Sequence, residues 1–96
     1  MNFKLLYTEI AATQREALER GNQRPWKSVK KALGLMEANL KHQSLNTHKF
    51  LSLQGSKGEE VFESYAQNNT PGAYRIFWHY GPNRGMITIV AITPHP

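Results

Sequence analysis

The chain has 96 residues, no cysteine, a formal net charge of +5 and 40% hydrophobic residues. This length suits one domain with one core, which we place over residues 1–96, and the lack of cysteine excludes disulfides, thiolate metal sites and cysteine nucleophiles. No apolar run approaches the roughly 18 residues of a membrane-spanning helix, so we predict a cytoplasmic protein without membrane contact.

The positive charge is concentrated in the first part of the chain. Ten of the twelve Lys and Arg residues, but only four of the seven acidic residues, lie within positions 1–57. A dense positive region on a small domain favours contact with a polyanion such as a nucleic acid. The alternative is that these lysines only solvate the outer face of a helix.

The N-terminal half predicts a strand followed by two helices. Phe3, Leu5 and Tyr7 alternate with other residues, as in a strand, and Thr8 can cap a helix that ends near Gly21. A second helix of about four turns is predicted by apolar residues spaced 3, 4, 3 and 4 apart. These core candidates are Trp26, Val29, Leu33, Met36 and Leu40.

The C-terminal half predicts an antiparallel meander. Residues 60–66, 74–80 and 86–92 have strand patterns separated by turn-forming residues, and residues 48–53 could form a short extended piece. The expected fold class is α+β with the order β-α-α-β-β-β. In this arrangement two N-terminal helices pack on one face of a small antiparallel sheet, and the other face stays open.

Two C-terminal segments resemble the RelE/ParE superfamily of bacterial toxins. Residues 73–78 (AYRIFW) are similar to the family's Tyr-Arg-apolar-apolar-aromatic strand. Residues 87–95 (ITIVAITPH) are similar to its final apolar strand, which ends near a histidine or a basic residue. Residues 48–55 are a weaker match to the family's apolar-x-Gly approach to its sheet.

This resemblance implies a bacterial toxin held inactive by a cognate antitoxin. Members of the RelE branch cleave mRNA on the ribosome, whereas members of the ParE branch poison DNA gyrase and are not nucleases. The resemblance therefore implies a metal-independent mRNA endonuclease with the ribosome as a partner. Two alternatives stay open: a non-catalytic member of the same fold, directed at gyrase or inactive, and a general nucleic-acid-binding α+β domain.

Metal-free RNA cleavage needs a base for the 2′-hydroxyl proton, an acid for the leaving oxygen and a cation for the developing charge. Arg75 alternates with Tyr74 and Ile76, so we expect it to project from the open face and bind phosphate. The alternative is a solvated strand arginine or a salt bridge with Glu63. His95 is the candidate acid or base, at a place where some RNA-cleaving members have a histidine; the alternative is a frayed tail.

Further residues could take part in proton transfer. Glu63 could act as a base beside Arg75, although alternation does not fix which face it occupies. His79 shares the expected face of Arg75 but lies roughly 13 Å along the strand, within reach of an adjacent nucleotide; a half-exposed structural histidine is the alternative. His48 and Lys49 lie where the resemblance implies a base or lysines in some members.

Other basic residues are candidates for contact with the RNA backbone: Lys27, Lys30, Lys31, Lys49, Lys57 and Arg84. The sequence departs from the RNA-cleaving pattern, because residues 61–65 lack Lys and Arg, and Pro96 stands where many members have tyrosine or arginine.

The four histidines lack the short spacing of a zinc site, and residues 55–58 lack the Walker spacing. We therefore predict neither a metal nor a nucleotide cofactor.

Overall fold

The structure is a computed structural model that describes residues 2–21, 23–68 and 71–95. Its helices and strands are β1 (Lys4–Tyr7), α1 (Glu9–Gly21), α2 (Gln23–Ala38), a 3-10 turn (Gln43–Leu45), β2 (His48–Gln54), β3 (Glu60–Tyr65), β4 (Tyr74–Tyr80) and β5 (Met86–Pro94). Within the described ranges no helix has the length and apolar character needed to cross a membrane.

The strands form one five-stranded mixed sheet in the order β1-β5-β4-β3-β2. Strands β2 to β5 pair antiparallel in succession, which confirms the meander, whereas β1 runs parallel to β5 because both helices intervene between β1 and the meander. The α+β fold class is confirmed. The sheet has one strand more than the predicted order counted, since the extended piece near residue 48 is a true edge strand, β2.

The core lies between the two helices and one face of the sheet. Val29, Leu33 and Met36 of α2 are buried against Ile76 and Trp78 of β4, as the helical spacing predicted. The Trp78 ring stacks on a neighbouring strand's Phe62 with 5.0 Å between ring centroids. Its indole Nε1–H donates to Ser64 Oγ at 2.8 Å, so burial of this large side chain leaves no polar atom unpaired.

Strand β2 forms the exposed edge of the sheet. It pairs with β3 at His48 and Lys49 and again at Gln54, with an irregular register between these positions. Leu51 is 87% exposed and Leu53 is 42% exposed, although both are large apolar residues. Backbone groups and apolar side chains are therefore presented together along this edge.

Thr8 connects β1, α1 and β5, as expected of a helix cap. Its Oγ1 accepts a hydrogen bond from the Ala11 N–H and donates one to the Val90 carbonyl, both at 3.1 Å. We expect Thr8→Ala to lower the free energy of unfolding by about 1–2 kcal/mol, because the cap and the cross-link are lost together. Urea denaturation measures this, and Thr13→Ala, an exposed change within the same helix, should shift stability by less than about 0.5 kcal/mol.

Candidate functional site

The sheet face opposite the helices, called the open face here, carries the polar residues singled out in the sequence. The register pairs Tyr65 with Arg75, and Arg75 in turn with Thr93. Cross-strand partners share a face. Arg75 is next to Ile76, which packs in the core with the helices, so Arg75 and its partners lie on the side away from α1 and α2. Glu63 lies two residues before Tyr65 on β3 and therefore shares this face. The structure thus fixes the face of Glu63, which the sequence left undecided.

The open face is not covered by a helix, but it is less exposed than expected. The Phe50 ring of β2 contacts the Phe77 ring of β4 at 4.8 Å between centroids, although β3 lies between the two strands. Glu63, Arg75 and His79 are all buried. Arg75 thus has the predicted orientation on the open face, but its side chain is only 10% exposed.

Arg75 is fixed by neighbours on three sides. Its Nη1 donates to the carbonyls of Gln67 at 2.7 Å and of Tyr74 at 3.3 Å. Its guanidinium carbon lies 3.7 Å from the centroid of the Tyr65 ring, a close cation–π contact. The remaining Nε faces Glu63 Oε2 at 3.7 Å, too long for a hydrogen bond, and it is buried without a partner. No described residue accepts a hydrogen bond from Nη2, which leaves that N–H edge for another acceptor.

His48 and Glu63 form a short pair beside this arginine. His48 Nε2 lies 2.7 Å from Glu63 Oε1, and Nδ1 lies 2.9 Å from the Asn46 carbonyl. Both partners are acceptors when Glu63 is ionised, so both hydrogen bonds form together only when the imidazole is doubly protonated. The His48 side chain is 47% exposed and the Glu63 side chain 6%. The pair therefore joins a solvent-accessible imidazole to a buried carboxylate that also faces Arg75.

His95 is tied to the sheet rather than frayed. Its backbone N–H donates to the Ala73 carbonyl at 2.7 Å, which extends the β4–β5 ladder beyond Pro94. Thr93 is the cross-strand partner of Arg75, and residues two apart on a strand share a face. His95 is therefore a diagonal neighbour of Arg75, roughly 7–8 Å away between Cα atoms.

His79 lies apart from this group, toward the other end of β4. It pairs with Thr88, is buried, and its Nδ1 hydrogen-bonds the Tyr80 carbonyl at 2.8 Å. The nearby Glu59 carboxyl accepts hydrogen bonds from its own backbone N–H and that of Lys57, which lower its pKa, and the charge of His79 adds to this effect. These contacts indicate a structural role for His79.

The predicted RNA-contacting residues do not form one patch. Lys27, Lys30 and Lys31 are exposed on α2, on the opposite side of the sheet from Arg75. Lys49 of β2 lies 3.1 Å from Glu60 Oε1, in an exposed ion pair. The exposed residues Lys57 and Arg84 lie in the β2–β3 and β4–β5 turns, at the sheet end remote from Arg75.

Among the described residues, no group of three His, Cys, Asp or Glu side chains is arranged to hold a metal ion. The structure instead brings together Arg75, Glu63, His48 and His95. His48 was outside the main set of catalytic candidates, because its contact with Glu63 depends on the β2–β3 register. Tyr65 was also missed, and its only sequence signal was an aromatic residue at the end of a strand.

Neither a family model nor a curated protein sequence matches this chain. Solved structures do match its fold at low sequence identity. The YoeB/ParE toxin from Agrobacterium tumefaciens is 11% identical with a TM-score of 0.71, over 98% of this chain and 100% of that one. A chain of the E. coli DinJ–YafQ toxin–antitoxin complex is 10% identical with a TM-score of 0.66, over 99% of this chain and 94% of that one.

A chain of the archaeal RelE–RelB complex from Pyrococcus horikoshii is 13% identical with a TM-score of 0.65, over 98% of this chain and 96% of that one. These similarities cover nearly the full length of every chain compared. They confirm, at the level of fold, the resemblance that residues 73–78 and 87–95 indicated.

Proposed function

We propose that this chain, which has the fold of the RelE/ParE toxins, is the toxin of a toxin–antitoxin pair and cleaves mRNA at the ribosome. The similarity of its fold to YoeB, RelE and YafQ proteins supports the first part. The DinJ–YafQ structure is a toxin–antitoxin complex, which supports a cognate antitoxin as a partner. The grouping of side chains on the open face supports RNA cleavage without a metal ion.

In the proposed reaction, a ribose 2′-oxygen attacks the adjacent phosphorus and its proton passes to a base. The bond to the 5′-oxygen breaks, and that oxygen takes a proton from an acid, which yields a 2′,3′-cyclic phosphate and a 5′-hydroxyl. Arg75 is the cation for the negative charge that develops on the phosphate. Its Nη2, which no described residue engages, is the donor for a non-bridging oxygen.

His48 and His95 are the proposed proton-transfer residues. His48 suits the acid, because its imidazole is 47% exposed and lies beside Glu63, the carboxylate that also faces Arg75. His95, a diagonal neighbour of Arg75, suits the base. Glu63 is too buried to meet a substrate, so we assign it the role of a positioning residue that orients both His48 and Arg75.

The basic residues outside this group have a different proposed role. Lys27, Lys30 and Lys31 extend from α2 and are suited to phosphates of structured RNA, as on a ribosome. Lys49 neighbours His48 on β2 and is suited to the substrate strand. Lys57 and Arg84 are proposed to contact RNA only at the far end of the sheet.

One observation favours a second candidate function. The Tyr65 ring covers Arg75 at 3.7 Å and leaves its side chain only 10% exposed. A catalytic cation needs access to the phosphate, so this cover favours a non-catalytic member of the fold that acts on gyrase or another protein. The two candidates differ in which nucleic acid is damaged in cells.

Induced expression in a bacterial host, with RNA 5′ ends mapped and DNA breaks counted, tests the proposal. We expect mRNA fragments with 5′-hydroxyl ends and no rise in DNA breaks. His48→Ala and His95→Ala should each reduce the cut fraction by about 100-fold, the usual scale for a lost acid or base, whereas Arg20→Ala on the exposed side of α1 should leave it unchanged. DNA breaks without RNA cuts would favour the gyrase-directed alternative.

A further inference from the structure

A pocket of about 580 Å³ lies on the helix side of the sheet, where α2 ends and the aromatic residues of β3 and β4 extend beyond it. Its wall includes Phe62, Trp78 and Tyr80, and its rim is formed by residues 40–43 and 46–48. The volume is within the range of small-ligand sites in proteins. His48 borders this pocket, but the residues of its aromatic wall and Lys41 take no part in the proposed cleavage.

Tyr80 gives the pocket an exposed ring on a rigid support. It is 49% exposed, and its ring meets the rings of Trp78 at 5.0 Å and Phe62 at 5.6 Å, both edge-to-face. A second depression of about 280 Å³, lined partly by Phe3 and Lys41, also borders Tyr80. A fixed aromatic ring with open space beside it is the feature on which proteins stack nucleobases.

The polar groups of the rim complement a base with a phosphate. Lys41 supplies an exposed cation, and the amides of Gln43 and Asn46 supply donors and acceptors of the kind that read base edges. The Ser44 N–H donates to His42 Nδ1 at 3.2 Å, so the neutral ring carries its proton on Nε2 as a further donor. Within the described part of the chain, no acidic residue lines the pocket.

We propose that this pocket binds a nucleotide, with the base stacked on Tyr80 and the phosphate beside Lys41. Two sources present that chemistry: a free nucleotide and one nucleotide of a single strand. The proposal does not depend on RNA cleavage, because Tyr80 and Lys41, on which it relies, have no part in the proposed reaction.

The test is calorimetric titration of the full chain with each of the four ribonucleoside monophosphates and with a ten-nucleotide 2′-O-methyl RNA, which cannot be cleaved. We expect Tyr80→Ala to weaken binding about tenfold and Tyr80→Phe to retain it, since stacking needs the ring and not the hydroxyl. Lys41→Ala should weaken binding several-fold and flatten its salt dependence. Arg20→Ala is the matched surface control and should bind like the unaltered chain.

The two sources are distinguished by which titrations respond. Tyr80-dependent binding of a monophosphate supports a free nucleotide, and Tyr80-dependent binding of the oligonucleotide without the monophosphates supports a strand. No binding of either probe, or equal binding by Tyr80→Ala with an unchanged circular dichroism spectrum, would overturn the proposal. Oligonucleotide binding that persists in Tyr80→Ala but is lost in Arg75→Lys belongs to the open face and overturns the proposal, so a failure of the cleavage proposal can be told apart from a failure of this one.

Discussion

Replacing Arg75 with lysine is expected to slow RNA cleavage by roughly 100- to 1000-fold, the scale for removing one fixed donor to a developing oxyanion. The substitution keeps the positive charge but removes the planar fork. Nη1 donates to the carbonyls of Gln67 and Tyr74, and these bonds fix the direction in which Nη2 points. An ammonium group cannot reproduce that geometry.

The measurement is the single-turnover cleavage rate of an RNA substrate by purified protein, together with a thermal melt. Arg20→Lys is the control, because Arg20 is an exposed arginine that pairs with Glu16 on the surface of α1. A cleavage rate for Arg75→Lys close to that of the unaltered chain would contradict the assignment of Arg75 as the catalytic cation.

Replacing Glu63 with alanine is expected to lower the free energy of unfolding by about 3 kcal/mol, because it leaves the Arg75 guanidinium buried without a counter-charge. The same change removes the acceptor for His48 Nε2. Glu63→Gln, which preserves the shape and one acceptor, should cost less than alanine.

Equilibrium unfolding in urea at neutral pH measures this difference. Glu60→Ala on the same strand is the matched control, since Glu60 is exposed and pairs with the exposed Lys49, and such surface pairs contribute about 0–1 kcal/mol. If the two alanine variants unfold at the same urea concentration, Glu63 does not neutralise a buried charge.

Period and turn chemistry were sufficient to predict the two helices and the meander of β3 to β5. The 3-4-3-4 spacing of Val29, Leu33 and Met36 identified the buried face of α2, and alternation identified the face on which Arg75 lies. Strand β2 was harder to predict. Almost all of its residues are exposed, so it lacks the alternation of buried and exposed residues that marks a strand. Its pairing with β3 is also interrupted between Lys49 and Gln54.

The chemistry of the site was only partly predictable. Alternation shows where a side chain points but not what covers it, so the burial of Arg75 under Tyr65 could not be inferred. The pair between His48 and Glu63 requires the register of two strands joined by an irregular hairpin. Alternation therefore placed Arg75, and the resemblance pointed to His95, but neither gave a reason to join His48 to them.

The exposed edge of β2 lowers the solubility expected of this protein. Leu51 projects almost entirely into water beside backbone groups that no neighbouring strand of the described chain engages. Two copies of the chain could pair their β2 edges through these backbone groups, so a high protein concentration would favour aggregation. A partner that paired with this edge, such as the proposed antitoxin, would also keep the protein in solution.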